Sequence, residues 1–129
     1  MIFRIAILLA GLLVAFDVWA VDFTASGTVL TVTYKEPTTN VDGSPLTDLN
    51  QTNVYYSING GAEVKSGNIP PTSVNGGGNV TTTVTVPIAQ NQSASVTIRA
   101  TATDISGNES AKSAAVTKTV DRLPPMPPQ

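Results

Sequence analysis

The side chains that could do chemistry in this sequence are carboxylates, because histidine and cysteine are both absent. Without them the nucleophile–base pairs of hydrolases lose their usual base, thiolate chemistry is excluded, and a zinc site has no soft ligands. Two carboxylates can still hydrolyse a glycosidic bond when they flank a cleft at fixed separation, one of them in an apolar setting. Asp104 and Glu109 bracket a four-residue turn, and Asp42 and Asp48 stand in a stretch dense in turn formers. Neither pair has neighbours that would build a cleft or an apolar wall, so the pattern argues against an enzyme. For Asp104-Ile105-Ser106-Gly107-Asn108-Glu109-Ser110 the plainer chemistry is that of a turn, with Asp and Asn capping it and Gly taking positive φ.

Charge narrows the partners. Seven Lys and Arg stand against nine Asp and Glu, a net charge of −2, and no basic run follows Arg4. A nucleic-acid partner needs a stripe of cations to neutralise its phosphates, so that class is excluded. Glycosylation acceptors of the form Asn-x-Ser/Thr occur at Asn50, Asn79, Asn91 and Asn108, a weak signal in a chain this rich in Thr and Ser.

The elements that must position these carboxylates are strands. The chain of 129 residues has room for one domain. Abundant Thr and Val suit half-buried pleated strands, and nine Pro and ten Gly supply turns without a collagen period. The absence of Cys leaves the fold without disulfides, which an oxidising compartment permits but does not demand.

Met1–Ala20 has the layout of a secretory signal: Arg4, the apolar run Ile5–Phe16, a polar break at Asp17, and Val18-Trp19-Ala20 before a cleavage site after Ala20. The competing reading is an uncleaved anchor. As a helix, Ile5–Phe16 reaches about 18 Å against roughly 30 Å of hydrocarbon, and lengthening it draws Asp17 into the bilayer. The expected product is a secreted, periplasmic or extracellular domain over 21–121, with no membrane contact once the signal is removed.

Along that domain a weak strand lies near Phe23–Ser26. Leu30, Val32 and Tyr34 alternate with Thr31 and Thr33, a strand with one buried face, closed by Glu36-Pro37. Thr38–Asn50 reads as a long exposed loop. Asn53–Ile58 places Val54, Tyr56 and Ile58 on one face, and Asn59-Gly60-Gly61 predicts a hairpin with Ala62–Ser66 pairing back. Gly67–Asn79 reads as a crossing loop. Val80–Val86 and Ser95–Asp104 are strands, the latter with Val96, Ile98, Ala100 and Ala102 inward and Thr97, Arg99, Thr101 and Thr103 outward. Ala111–Val120 is the last strand, with Ala114 and Val116 leading its inward set. Short alternating strands between turn signals predict an all-β antiparallel sandwich.

At this point the residues resemble a known family. TVLTVTYKEPTTNVDGSPLTDLNQTNVYYS is similar to the B strand, BC loop and C strand of bacterial and phage-encoded fibronectin type III domains. ATATDISGNESAKSA (100–114) resembles that family's F strand, FG turn and G strand, and VDRLPPMPP resembles its interdomain joint. The likeness covers about residues 22–128. Tyr34 stands where the family usually has Trp, and Val96 where it often has Tyr, which weakens core packing and corner locking. The resemblance implies a seven-stranded Greek-key, immunoglobulin-like sandwich and an adhesive, accessory or spacing role, with no active site.

It also implies that three loops, roughly 36–50, 67–79 and 104–110, emerge at one end with Glu36, Asp42, Asp48, Asp104 and Glu109. Carboxylates gathered there could hold Ca²⁺ through oxygen ligands, although their spacing departs from the EF-hand loop. Loops on a rigid scaffold carry recognition, so Asp42, Asp48, Asp104, Asn108, Glu109 and the outward Tyr55 are the candidate contact residues. No Arg-Gly-Asp stands in the 104–110 turn. The expected function is an exported binding or spacer module touching a protein or glycan at a cell or virion surface. The alternative is a structural subunit that self-assembles through β edges into a fibre or coat. The tail 122–129 reads as an extended polyproline strip, a linker remnant or a docking strip.

Overall fold

A computed structural model describes residues 21–129, and the signal-segment reading of Met1–Ala20 lies outside the described residues. Alternation of Thr with Val, Leu and Ile drives the described residues into seven strands: β1 (Asp22–Ser26), β2 (Val29–Lys35), β3 (Leu49–Ile58), β4 (Val64–Ile69), β5 (Asn79–Thr85), β6 (Ser93–Asp104) and β7 (Val116–Asp121). They form a three-stranded sheet ordered β1-β2-β5 and a four-stranded sheet ordered β4-β3-β6-β7, every pairing antiparallel.

Both sheets feed one interior, which gives the fold its sandwich character. Phe23, Leu30, Val32, Tyr34, Val80 and Val84 come from the first sheet, and Val54, Val96, Ile98, Ala100 and Val120 from the second. Within each sheet the register stacks these residues side by side, as Leu30 beside Val84 and Val54 beside Ala100. The predicted inward face of β2 is the buried one, because a period of two puts every second side chain on the core side. At the sheet edges Lys118 bonds Asp22 at 2.7 Å and joins β7 to β1. The hairpin after β3 turns at Asn59 and Gly60, both with positive φ, as a type I′ turn requires.

Three readings of the sequence are corrected and one is refined. Thr38–Asn50 is not wholly exposed, because Leu46 and Leu49 are buried and β3 already begins at Leu49. The returning strand runs on through Gly67 to Ile69, so the crossing loop is shorter than expected. Thr101 does lie on the outer face, yet it is buried there beneath neighbouring side chains, while Ala102 on the inner face stays partly open. Finally, the last strand starts at Val116, Ala114 is exposed, and Val120 is the residue that reaches the core.

The last difference has a local cause. The ladder between β6 and β7 ends at Ile98 beside Val116. Beyond it, Ser113 meets Ala100 and Ser110 meets Ala102, so each two residues of β6 are answered by three of the incoming chain. An extra residue per step pushes the backbone outward, as a bulge does, and ends the alternation. The serine hydroxyls then accept the N–H groups of Ala100 (2.9 Å) and Ala102 (3.0 Å) that a regular strand would have bonded.

Candidate functional site

Three loops stand together at one end: 36–48, 70–78 and 104–109. A single peptide unit of the first loop bonds both of the others. The carbonyl of Asp48 accepts the N–H of Ile105 at 2.9 Å, and the adjoining N–H of Leu49 donates to the carbonyl of Val74 at 2.8 Å. One loop is thereby sewn between the other two.

The first and third loops are also braced from within, and the second is held by the first. In the first, Asp42 Oδ1 accepts the N–H and the hydroxyl of Ser44 at 2.9 and 2.6 Å, and Thr38 and Thr39 pair back toward Leu46 and Pro45. Glu36, 2% exposed, accepts the N–H of Thr72 at 2.9 Å, that of Gly78 at 3.2 Å, and the Thr72 hydroxyl. That buried carboxylate holds the second loop down. Gly76 lies so close to the first loop that a Cβ there would stand 1.9 Å from the carbonyl oxygen of Pro37. In the third loop Asp104 accepts the backbone N–H of Asn108 at 2.8 Å and its side-chain amide at 3.0 Å. The hydrogen bonds from Ser44 hold Asp42 below the usual carboxylate range, and those from Asn108 do the same for Asp104.

Beside these loops lies an open groove of about 1100 Å³. Tyr34, Leu46, Leu49, Thr52, Ala100 and Ala102 are among its lining, with Asn40, Val41, Asp104 and Asn108 toward the loops. The Tyr34 hydroxyl is 2.6 Å from Thr52 Oγ1 across the two sheets, and burial pushes its ionisation upward.

A second polar cluster covers the outer face of the four-stranded sheet. Glu109 Oε2 accepts the hydroxyls of Tyr55 (2.6 Å) and Thr101 (2.7 Å) and an amide hydrogen of Asn53 (3.1 Å). Asn53 also donates to Thr101 and Thr103 at 2.9 and 3.0 Å and accepts from Gln51 at 2.9 Å. Lys112 lies 4.7 Å from the centre of the Tyr55 ring and bonds Glu63 at 2.8 Å. The two hydroxyls hold Glu109 below the usual carboxylate range, and the same carboxylate pushes Tyr55 upward.

The six candidate contact residues thus occupy different places. Asp42, Asp48, Asp104 and Asn108 belong to the loop end, where three of them close turns with their side chains and Asp48 contributes its backbone. Tyr55 and Glu109 meet instead on the outer sheet face. Among the described residues no three carboxylates converge as a metal site requires. Sequence reasoning missed Asn53 and the burial of Glu36 and Thr101, which depends on residues far along the chain. A polar period of two through Gln51, Asn53 and Tyr55 was the available signal for the outer cluster. No protein-family model and no curated protein matches this chain.

Proposed function

We propose that this protein is an exported, non-catalytic binding or spacer module built on a fibronectin type III-like Greek-key sandwich, and that it contacts a protein partner at a cell or virion surface. The observation carrying this reading is the placement of the chain's entry and exit. Val21, just before β1, lines the groove by the three loops. At the other end Arg122, just after β7, bonds Ile88 and Gln92 in the connection between β5 and β6. Between those ends runs β6, whose 12 residues span roughly 35–40 Å at about 3.3 Å each. A module entered at one end and left at the other presents its loops at the pole opposite the segment that follows β7.

The strand order of three plus four supports the fibronectin type III assignment. The non-catalytic reading is supported by the carboxylates themselves: Glu36 pins a loop, Asp42 and Asp104 close turns, and Glu109 anchors the outer cluster. Assembly through sheet edges is disfavoured at β4, where the register shifts opposite Val54 and Tyr55 and Lys65 adds a charge. Sedimentation of the purified protein tests the proposal. A monomer at tens of micromolar agrees with it, and concentration-dependent fibres or large oligomers would replace it with a structural subunit.

A further inference from the structure

Three of the exposed large hydrophobic side chains fall at the loop end, while Leu123 and Met126, 59% and 82% exposed, belong to the C-terminal tail. Val41, Val74 and Ile105 are 104%, 49% and 66% exposed, and each belongs to a different one of the three loops. Val74 and Ile105 bond opposite sides of the Asp48–Leu49 peptide unit, which sets their backbones roughly 10 Å apart at about 4.8 Å per strand spacing. Val41 borders the groove that Asp104 and Asn108 also line. By contrast Val29 and Val64 are single exposed residues on strands, which is ordinary for a protein surface.

We propose that Val41, Val74 and Ile105, with Asp42, Asp48 and Asp104 among them, form a docking face for a protein whose apolar patch is ringed by Lys or Arg. This rests on the binding-module reading above and names its partner. Three features select that occupant. The loops are braced before any partner arrives, so little ordering entropy opposes docking. Residues 37–48, 70–78 and 104–109 contain no Lys or Arg, so the fixed charges on the loops themselves are negative and a basic rim complements them, with Lys35 bordering the groove at the foot of the first loop. No aromatic residue stands on these loops, which leaves a sugar ring nothing flat to stack on.

The same charges weigh against the other occupants. An anionic bilayer draws in basic segments and repels these carboxylates. Two copies meeting face to face would set Asp42, Asp48 and Asp104 of each against those of the other. Hydrogen bonds keep Asp42 and Asp104 ionised to lower pH than free side chains, which preserves the complementarity in mild acid.

The test uses an amphipathic Leu/Lys peptide and a Leu/Glu peptide of equal length as probes, titrated into the purified protein. Binding of the Leu/Lys peptide is expected, with loss of at least about tenfold in V41S/V74S/I105S and a further fall with added salt. The three substitutions are on exposed side chains, and an unchanged melting temperature verifies the variant's fold. Equal binding to the variant, equal binding of the Leu/Glu peptide, or no binding of either would overturn the docking face. Binding of phosphatidylglycerol vesicles that the triple variant loses would reassign it to lipid. A dimer in sedimentation that the variant abolishes would reassign it to a second copy. The binding-or-spacer reading is judged separately, by whether the protein sediments as a monomer.

Discussion

The hydroxyl of Tyr55 donates to Oε2 of Glu109 at 2.6 Å, joining residues 54 positions apart in the chain. Tyr55 is on β3 and Glu109 leads the segment that follows the third loop. The bond therefore fastens that segment to the sheet face, together with Thr101 and Asn53.

Acid should release this fastening. The carboxyl of Glu109 ionises below its ordinary value of 4.5 in the folded protein, first through Tyr55 and then through Thr101. A depressed folded value stabilises the fold fully above the unfolded value and loses that contribution as pH falls through the folded one. Glu109→Gln should therefore melt below wild type at neutral pH, and the gap should narrow as pH falls below the ordinary carboxylate value and through the depressed folded one. Melting curves of both proteins across that range decide it. A constant gap would remove Glu109 ionisation from the explanation.

Tyr34 and Thr52 share a buried hydrogen bond between the two sheets. Tyr34→Phe leaves a hydroxyl without its partner and should cost about 1–2 kcal/mol. Adding Thr52→Val removes the stranded group and should recover part of that loss. Urea unfolding of the single and double variants gives the coupling, and strict additivity would argue that the bond contributes nothing.

Gly76 and Gly43 both hold positive φ, yet they differ in their surroundings. A Cβ at Gly43 meets nothing within 4 Å, whereas one at Gly76 runs into the Pro37 carbonyl. Gly43→Ala should cost about 1 kcal/mol from backbone strain alone. Gly76→Ala should cost clearly more, because the second loop must lift away from the first. Thermal unfolding of the two variants ranks them, and equal losses would mean the loops are not packed as described.

Ser110 and Ser113 stand in for a backbone ladder along Ala100 and Ala102. Ser110→Ala with Ser113→Ala should leave those two amides with faster hydrogen exchange while the amides of Val96 and Ile98 keep their protection. Hydrogen exchange read by NMR resolves these sites separately. Unchanged protection at Ala100 and Ala102 would show that the hydroxyls are dispensable.

Most of the strand pattern was legible because alternation is local: Leu30, Val32 and Tyr34 announce their face without knowing what covers it. The turn at Asn59-Gly60 was legible for the same reason, since positive φ is a property of those residues themselves. Glu36 gave no such signal. A carboxylate beside a proline reads as solvent-exposed, and only the arrival of Thr72 and Gly78 from the second loop turns it into a buried anchor. The end of the last strand failed in a related way, because Ala114 alternates correctly in sequence while an extra residue per step against β6 carries it out of register.

What this sequence determined by itself is the extended backbone of its strands, the absence of histidine and cysteine chemistry, and the excess of acid over base. Those follow from side-chain type and spacing, which need no partner. Only the tertiary structure decided which carboxylates work inside the fold and which face outward, and that Val41, Val74 and Ile105 share one pole. Long-range hydrogen bonds set those facts, and a long-range bond has no signature at either of its ends until the chain has folded.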